Sequence, residues 1–133
     1  MANNNVVARF VDGRTIKGVS LDVDPTKPKC HIKTAEQGMV EVKLSDLKAL
    51  FFVKDLTGNS GHQEANAVDA QDSRLKGAKA IEIKFRDKER LVGLTNRYPP
   101  LGNFFFMLPA DGTSNNIRIL VNRAAVSSMG VAK

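Results

Sequence analysis

The sequence predicts an all-β protein of two tandem, five-stranded small barrels joined by a flexible linker. Three observations predict it: short stretches of alternating apolar and polar residues, a block that recurs later in the chain, and a small, polar segment between the copies. The repeats are expected at residues 1–57 and 76–133, with the linker at 58–75. A length of 133 residues suits one domain, or two very small ones that share a core.

The internal repeat is the strongest of these signals. A first block recurs at a constant offset of 75 residues, and a second block recurs at 79 because the second copy holds four extra residues. The matched pairs of the first block are Phe10 and Phe85, Asp12 and Asp87, Ile16 and Leu91, and Gly18 and Gly93. Those of the second block are Val40 and Ile119, Val42 and Val121, Leu47 and Val126, and Leu50 and Met129.

Each element of the first copy follows from a local pattern. Alternation around Phe10 predicts a strand, Asp12-Gly13 predicts a hairpin turn, and Gly18 suits a bend in the second strand. A proline-containing loop at 24–28 precedes two strands at 30–33 and 40–44, which Gln37-Gly38 separates. A single helical turn at 45–48 then leads into a last strand at 50–53.

The stretch 45–55 also fits a short amphipathic helix capped by Ser45. The strand is preferred because the matching stretch from Ala125 to Met129 is poor in helix signals. The second copy is expected to follow the same plan. Its Phe-rich strand at 103–108 is so apolar that we expect it to be buried on both faces or against the partner repeat. The predicted strands are 81–86, 90–95, 103–108, 117–121 and 127–131.

The positive charge is concentrated in the second copy. The net charge is +6 overall, with +2 in residues 1–57, −2 in 58–75 and +6 in 76–133. A basic surface favours an anionic partner such as RNA, whose phosphates lysine and arginine neutralise. Solvated surface charge is the competing interpretation. The candidate nucleic-acid-binding residues are Lys84, Arg86, Lys88, Arg90, Arg97, Arg118 and Arg123.

The sequence offers little for catalysis, metals or cofactors, so we expect a non-enzymatic protein without a cofactor. Cys30 and His31 are neighbours on a predicted strand and should point to opposite faces. One cysteine and two histidines are too few for a typical zinc site. A lone cysteine, no signal-peptide pattern and no long apolar run lead us to expect a cytoplasmic protein.

The plan of strands resembles Sm-like and SH3-like small barrels, and the second copy is similar to the Hfq type of Sm-like protein. Residues 83–87, 91–93 and 119–127 carry that resemblance. In that family, a Tyr-Lys-His motif contributes to RNA binding, and Asn122, Arg123 and Ala124 stand at its positions, with Arg123 keeping the positive charge. The whole chain, with Asp46-Leu47-Lys48-Ala49-Leu50-Phe51-Phe52, also resembles an uncharacterised bacterial family of duplicated small barrels.

Two alternatives to RNA binding stay open. Small barrels have edge strands, so the chain could be a protein-interaction or regulatory module, or a homo-oligomer formed through those edges. The spacing of Arg86 and Arg90 also resembles the arginine pair with which PilZ-type barrels hold cyclic di-GMP. Two exposed arginines on a charged hairpin are the simpler interpretation of that pair.

Overall fold

The computed structural model describes residues 4–54, 71–100, 102–110 and 116–132, and its regular structure is almost entirely β. The prediction of an all-β chain is therefore confirmed. A single 3-10 turn, not a helix over 45–55, precedes the strand that ends the first copy. The strands are β1 Asn5–Phe10, β2 Thr15–Val19, β3 Lys29–Thr34, β4 Gly38–Lys43, β5 Leu47–Val53, β6 Lys79–Phe85, β7 Arg90–Thr95, β8 Phe104–Pro109, β9 Asn116–Asn122 and β10 Val126–Val131.

All ten strands belong to one antiparallel sheet with the order β10-β6-β7-β8-β9-β5-β1-β2-β3-β4. Each copy contributes five adjacent strands, and the two sets are joined where β5 of the first pairs with β9 of the second. The hydrogen-bonded ladders leave the sheet open, with β4 and β10 at its edges. We call the sets β1–β5 and β6–β10 the first and second halves.

The two halves use the same strand register, which supports the duplication read from the sequence. Phe10 lies opposite Leu47 in the first half, and Phe85 lies opposite Val126 in the second, so both offsets reappear in the pairing. Turn bonds repeat as well: the amide of Gly13 donates to the Phe10 carbonyl, and that of Lys88 donates to the Phe85 carbonyl.

The matched glycines Gly18 and Gly93 are required by close strand packing. A Cβ on Gly18 would lie 2.3 Å from the carbonyl oxygen of Lys33, and one on Gly93 would lie 2.3 Å from that of Leu108. Any side chain would collide with backbone at that distance. The shared glycine therefore preserves the approach of the third strand to the second in both halves.

Two apolar cores lie on opposite faces of the joining strands, because successive side chains of a strand alternate between faces. Every residue of β5 is buried: Leu50 and Phe52 enter the first core, while Phe51 and Val53 enter the second. β8 is also shared, since Phe106 packs against the first core and Phe105 lies in the second. Phe105 and Met107 are buried, whereas Phe104 and Phe106 are partly buried, so the Phe-rich strand contacts both cores but keeps one face partly exposed.

The predicted linker lies mostly outside the described residues, which resume at Gln71. Its last residues are structured: Ser73–Lys76 form a 3-10 turn whose first amides are capped by Asp72. The Arg74 guanidinium donates to the carbonyls of Pro109 and Ala110 at 3.0 and 3.1 Å. The chain is therefore attached to the second half several residues before β6 begins.

Candidate anion-binding groove

The seven basic residues singled out in the sequence separate into three places on the second half. Lys84 and Arg90 lie on β6 and β7, beside the edge strand β10. Arg86 and Lys88 lie in the β6–β7 turn. The other three, Arg97, Arg118 and Arg123, lie at or next to one groove.

Arg86 and Arg90 are each occupied by a separate partner. Arg86 Nε donates to the Ala124 carbonyl at 2.8 Å, and Arg90 Nη2 pairs with Glu82 Oε1 at 2.5 Å. Lys88 has a φ of 78°, the left-handed turn position that Gly13 fills in the first half. This region is therefore a charged hairpin whose arginines bond to different parts of the protein.

The groove of about 510 Å³ lies beside β7, β8 and β9, and Arg97 and Arg118 line it. Arg123 is next to this lining, since its Nη1 donates to the carbonyl of the lining residue Pro100 at 3.3 Å. None of the described lining residues is acidic. The groove therefore combines positive charge with apolar walls formed by Phe104, Phe105, Phe106, Leu94 and Met107.

Arg118 is held by aromatic stacking at the joint between the halves. Its Cζ lies 4.3 Å from the centroid of the Phe52 ring and 4.7 Å from that of Phe106. The two rings belong to β5 and β8 and lie 6.2 Å apart at 52°. Stacking orients the planar guanidinium while leaving its N–H groups at the edge, which is the part that bonds phosphate oxygens.

At the end of β9, the buried side-chain amide of Asn122 fixes the turn that carries Arg123. Asn122 Oδ1 accepts from the Ala124 amide at 3.0 Å and from Asn103 Nδ2 at 2.8 Å. Its Nδ2 donates to the Leu47 carbonyl at 2.8 Å, across the joint between the halves. Asn122 is thus a structural residue in the interior, and of the Asn122-Arg123-Ala124 stretch Arg123 bonds to the groove lining.

A second joint residue, Lys48, was not predicted from the sequence. It is a buried lysine whose Nζ bonds to Asp87 Oδ2 at 2.8 Å and to Glu89 Oε1, and it lies 4.7 Å from the Phe85 ring centroid. The Lys48 hydrogen bond holds the pKa of Asp87 below its ordinary value. A lone lysine within an otherwise apolar β5 was the signal that could have revealed it.

Cys30 and His31 lie on opposite faces of β3, as predicted. Cys30 is fully buried, and burial raises the pKa of its thiol to about 11, with the Asp22 charge adding to the effect. His31 is exposed, and its Nδ1 lies 2.7 Å from Asp22 Oδ2, an acidic partner that the sequence pattern did not reveal. Burial opposes ionisation of Asp22, but hydrogen bonds from His31 and Ser20 keep its pKa below the ordinary value. A cysteine–histidine pair for nucleophilic catalysis is not assembled here.

Neither a membrane-spanning helix nor a metal-binding cluster occurs among the described residues. No helix in that part of the chain is long and apolar enough to cross a membrane. The same residues include no group of three or more His, Cys, Asp or Glu side chains arranged to hold a metal ion.

The chain belongs to the family of unknown function DUF6982, whose model matches residues 2–133. The match spans both halves of the chain. No curated protein and no solved structure matches the chain.

Proposed function

We propose that the protein is a non-enzymatic module that binds single-stranded RNA in the groove of Arg97, Arg118 and Arg123. The carrying observation is that Arg97 and Arg118 line one groove whose described lining has no acidic residue, and that Arg123 bonds to Pro100 in that lining. Arginine suits this role because its planar fork bonds phosphate oxygens in pairs and stays charged at any relevant pH.

The walls of the groove support RNA over a simple inorganic anion. Phe104 and Phe106 are half-buried β8 side chains that line it. Proteins that hold single-stranded nucleic acid combine a basic track with aromatic rings on which bases stack. The sequence pattern indicated only a core role for these rings, whereas their position gives them an accessible side in the groove.

The proposal includes a finer view of the fold and of the setting. Each half has five strands in which the fifth pairs with the first and a one-turn break precedes the fifth. That arrangement supports two Sm-like or SH3-like small-barrel units, the type to which the RNA hypothesis belongs. The single, buried Cys30 supports a reducing compartment such as the cytoplasm.

The test is fluorescence anisotropy of a labelled oligouridine titrated with the full chain. For wild type we expect affinity to fall at least tenfold between about 50 and about 200 mM salt. Arg97→Ala should weaken binding and reduce the slope of log K against log salt by about 1 for each phosphate that the variant no longer neutralises. Arg97 is exposed, so this variant leaves the core intact.

Arg14→Ala is the matched control for Arg118→Ala. Arg14 is also an exposed arginine stacked on a phenylalanine, with Cζ 4.6 Å from the Phe10 ring centroid, but it lies in the first half. We expect Arg118→Ala to weaken RNA binding severalfold more than Arg14→Ala. Arg118→Lys should keep the salt slope and lose part of the affinity, because lysine retains the charge without the planar fork.

The proposal fails if wild type shows no salt-dependent binding, or if the Arg97 and Arg118 variants bind RNA as the Arg14 variant does. Calorimetry with cyclic di-GMP tests the competing hypothesis. The separate partners of Arg86 and Arg90 lead us to expect no heat from that titration.

A further inference from the structure

The joint between the halves shows how one repeat recognises another. β5, the fifth strand of the first half, pairs antiparallel with β9, the fourth strand of the second. At the offset of 79, β5 corresponds to β10 and β9 corresponds to β4. These two counterparts are the strands at the edges of the sheet. Each chain therefore has, at the two edges of its sheet, one strand equivalent to β5 and one strand equivalent to β9, the two strands that pair in the joint.

The residues at these edges are suited to meeting one another. In the joint, Phe52 lies opposite Arg118. Their counterparts at the offset of 79 are Val131 on β10 and Met39 on β4, which are 57% and 64% exposed. Two large apolar side chains are thus exposed on different edges, at positions that the register of the joint would place face to face.

The edge strand β10 lacks the charges and prolines that commonly protect an edge from pairing, and its one irregularity is a register shift between Val126 and Ser128, at the end away from Val131. Its residues, Val126–Val131, include no charged side chain and no proline. Proteins commonly block an exposed edge with charges, especially lysine, or with proline. The small residues Ser128 and Gly130 alternate with Met129 and Val131 along the strand, so its side chains leave the edge uncrowded.

We propose that the protein assembles head to tail with further copies of itself, β10 of one copy pairing antiparallel with β4 of the next. The joint then repeats between chains, with Val131 opposite Met39 and Gly130 opposite Val40. Because the two surfaces differ, the contact is heterologous, and successive copies form either a closed ring or an open chain.

The contact between copies is weaker than the joint within a chain, for reasons visible at the matched positions. Buried Leu120 of the joint corresponds to Glu41, an exposed residue paired with Lys29 at 3.0 Å. Lys48, whose ammonium bonds to Asp87 in the β6–β7 turn, corresponds to Ser127 at the offset of 79. The assembly should therefore be reversible and dependent on concentration.

Cysteine cross-linking tests the register directly, without RNA, so its outcome does not depend on the proposed function. A Met39→Cys chain is mixed with a Val131→Cys chain and oxidised; the native Cys30 is buried and does not compete. We expect a mixed disulfide dimer as the main product. The matched control pairs Val131→Cys with Leu21→Cys, because Leu21 is 83% exposed and lies away from both edges.

Sedimentation of the full chain measures the strength of the same contact. We expect wild type to gain mass with concentration, and Met39→Asp or Val131→Asp to remain monomeric when alone. Mixed together, these two variants should form a one-to-one dimer, because each retains the edge that the other has lost. Glu41→Leu, which restores the residue of the joint, should strengthen assembly at least tenfold, whereas Glu36→Leu in the β3–β4 turn should not.

Three results would overturn the proposal. One is equal cross-linking with the Leu21→Cys control. Another is a Met39→Cys or Val131→Cys chain that cross-links mainly to itself, which would mean a symmetric contact. The third is a wild-type chain that stays monomeric together with a Glu41→Leu chain that does the same. Unfolding curves of each variant establish that it is folded before its mass is interpreted.

Discussion

The buried ammonium of Lys48 makes an asymmetric prediction about stability. Lys48 is 8% exposed, whereas its partners Asp87 and Glu89 are 55% and 46% exposed. Removing the carboxylates with Asp87→Asn and Glu89→Gln leaves the ammonium in the interior without its charged partners. Removing the ammonium with Lys48→Met leaves two carboxylates that water already solvates.

The structure sets the size of the two effects. Losing a partner in a fully buried ion pair costs about 3–5 kcal/mol, and losing one at the surface costs about 0–1 kcal/mol. This pair lies between those limits, so we expect the double variant to lose about 2 kcal/mol of unfolding free energy. Lys48→Met keeps the length of the side chain and its contact with Phe85, and should cost less than about 1 kcal/mol.

Urea unfolding at constant m value measures both changes, with Asp12→Asn as the control at the matched position of the first half. Asp12 pairs with exposed Arg14, so that variant should change stability little.

The pH dependence of the unfolding free energy gives a second measurement. The pKa of Asp87 is lowered in the folded state, so its contribution is present above the ordinary value of 3.8 and is lost as the pH falls through the lower, folded value.

The difference in unfolding free energy between wild type and the double variant should therefore shrink in acid, because a protonated Asp87 carboxyl, like the amide, carries no charge to pair with Lys48. The reasoning is refuted if the double variant is as stable as wild type at neutral pH. It is equally refuted if Lys48→Met destabilises the protein more than the double variant does.

Two further predictions concern the interior. Gly93→Ala should lose about 1–3 kcal/mol of unfolding free energy, because its Cβ would meet the Leu108 carbonyl. Gly77→Ala is the control, since open space surrounds that position and the variant should not destabilise the protein. Equal stability of the two variants would contradict the close approach of Gly93 to Leu108. Cys30 should resist a thiol reagent at about pH 8 in the native protein and react fully in denaturant, since its pKa is about 11; rapid stoichiometric labelling of the native chain would show that the thiol is accessible.

Local patterns alone predicted the strands and the duplication. Alternation identified most strands, and Asp-Gly identified a turn, whereas the matched glycines suggested a bend and their close contact with the third strand came from the structure. A strand at 50–53 in place of a helix over 45–55 was also predicted correctly, because the second copy of that stretch lacked helix signals; the strand itself begins earlier, at Leu47. Internal comparison succeeded here because both copies face the same backbone constraints.

The joint between the halves depended on tertiary structure. No local pattern says that β5 pairs with β9, because any edge strand offers the same unpaired amides and carbonyls. The same limit applies to the candidate site. Arg97, Arg118 and Arg123 are far apart in sequence from Phe52, which stacks on Arg118 only because the joint brings β5 beside β9.

The sequence by itself thus predicted the approximate positions of the strands, the recurrence of one block of the chain and which half holds the excess charge. The tertiary structure decided which charges meet. In the structure Arg86 and Arg90 bond to separate partners, and Lys48 and Asn122 are buried at the joint. Three arginines lie at or next to one groove. The physical reason is that strand character depends on neighbours along the chain, whereas convergence of side chains depends on long-range pairing, which is fixed only when the whole sheet forms.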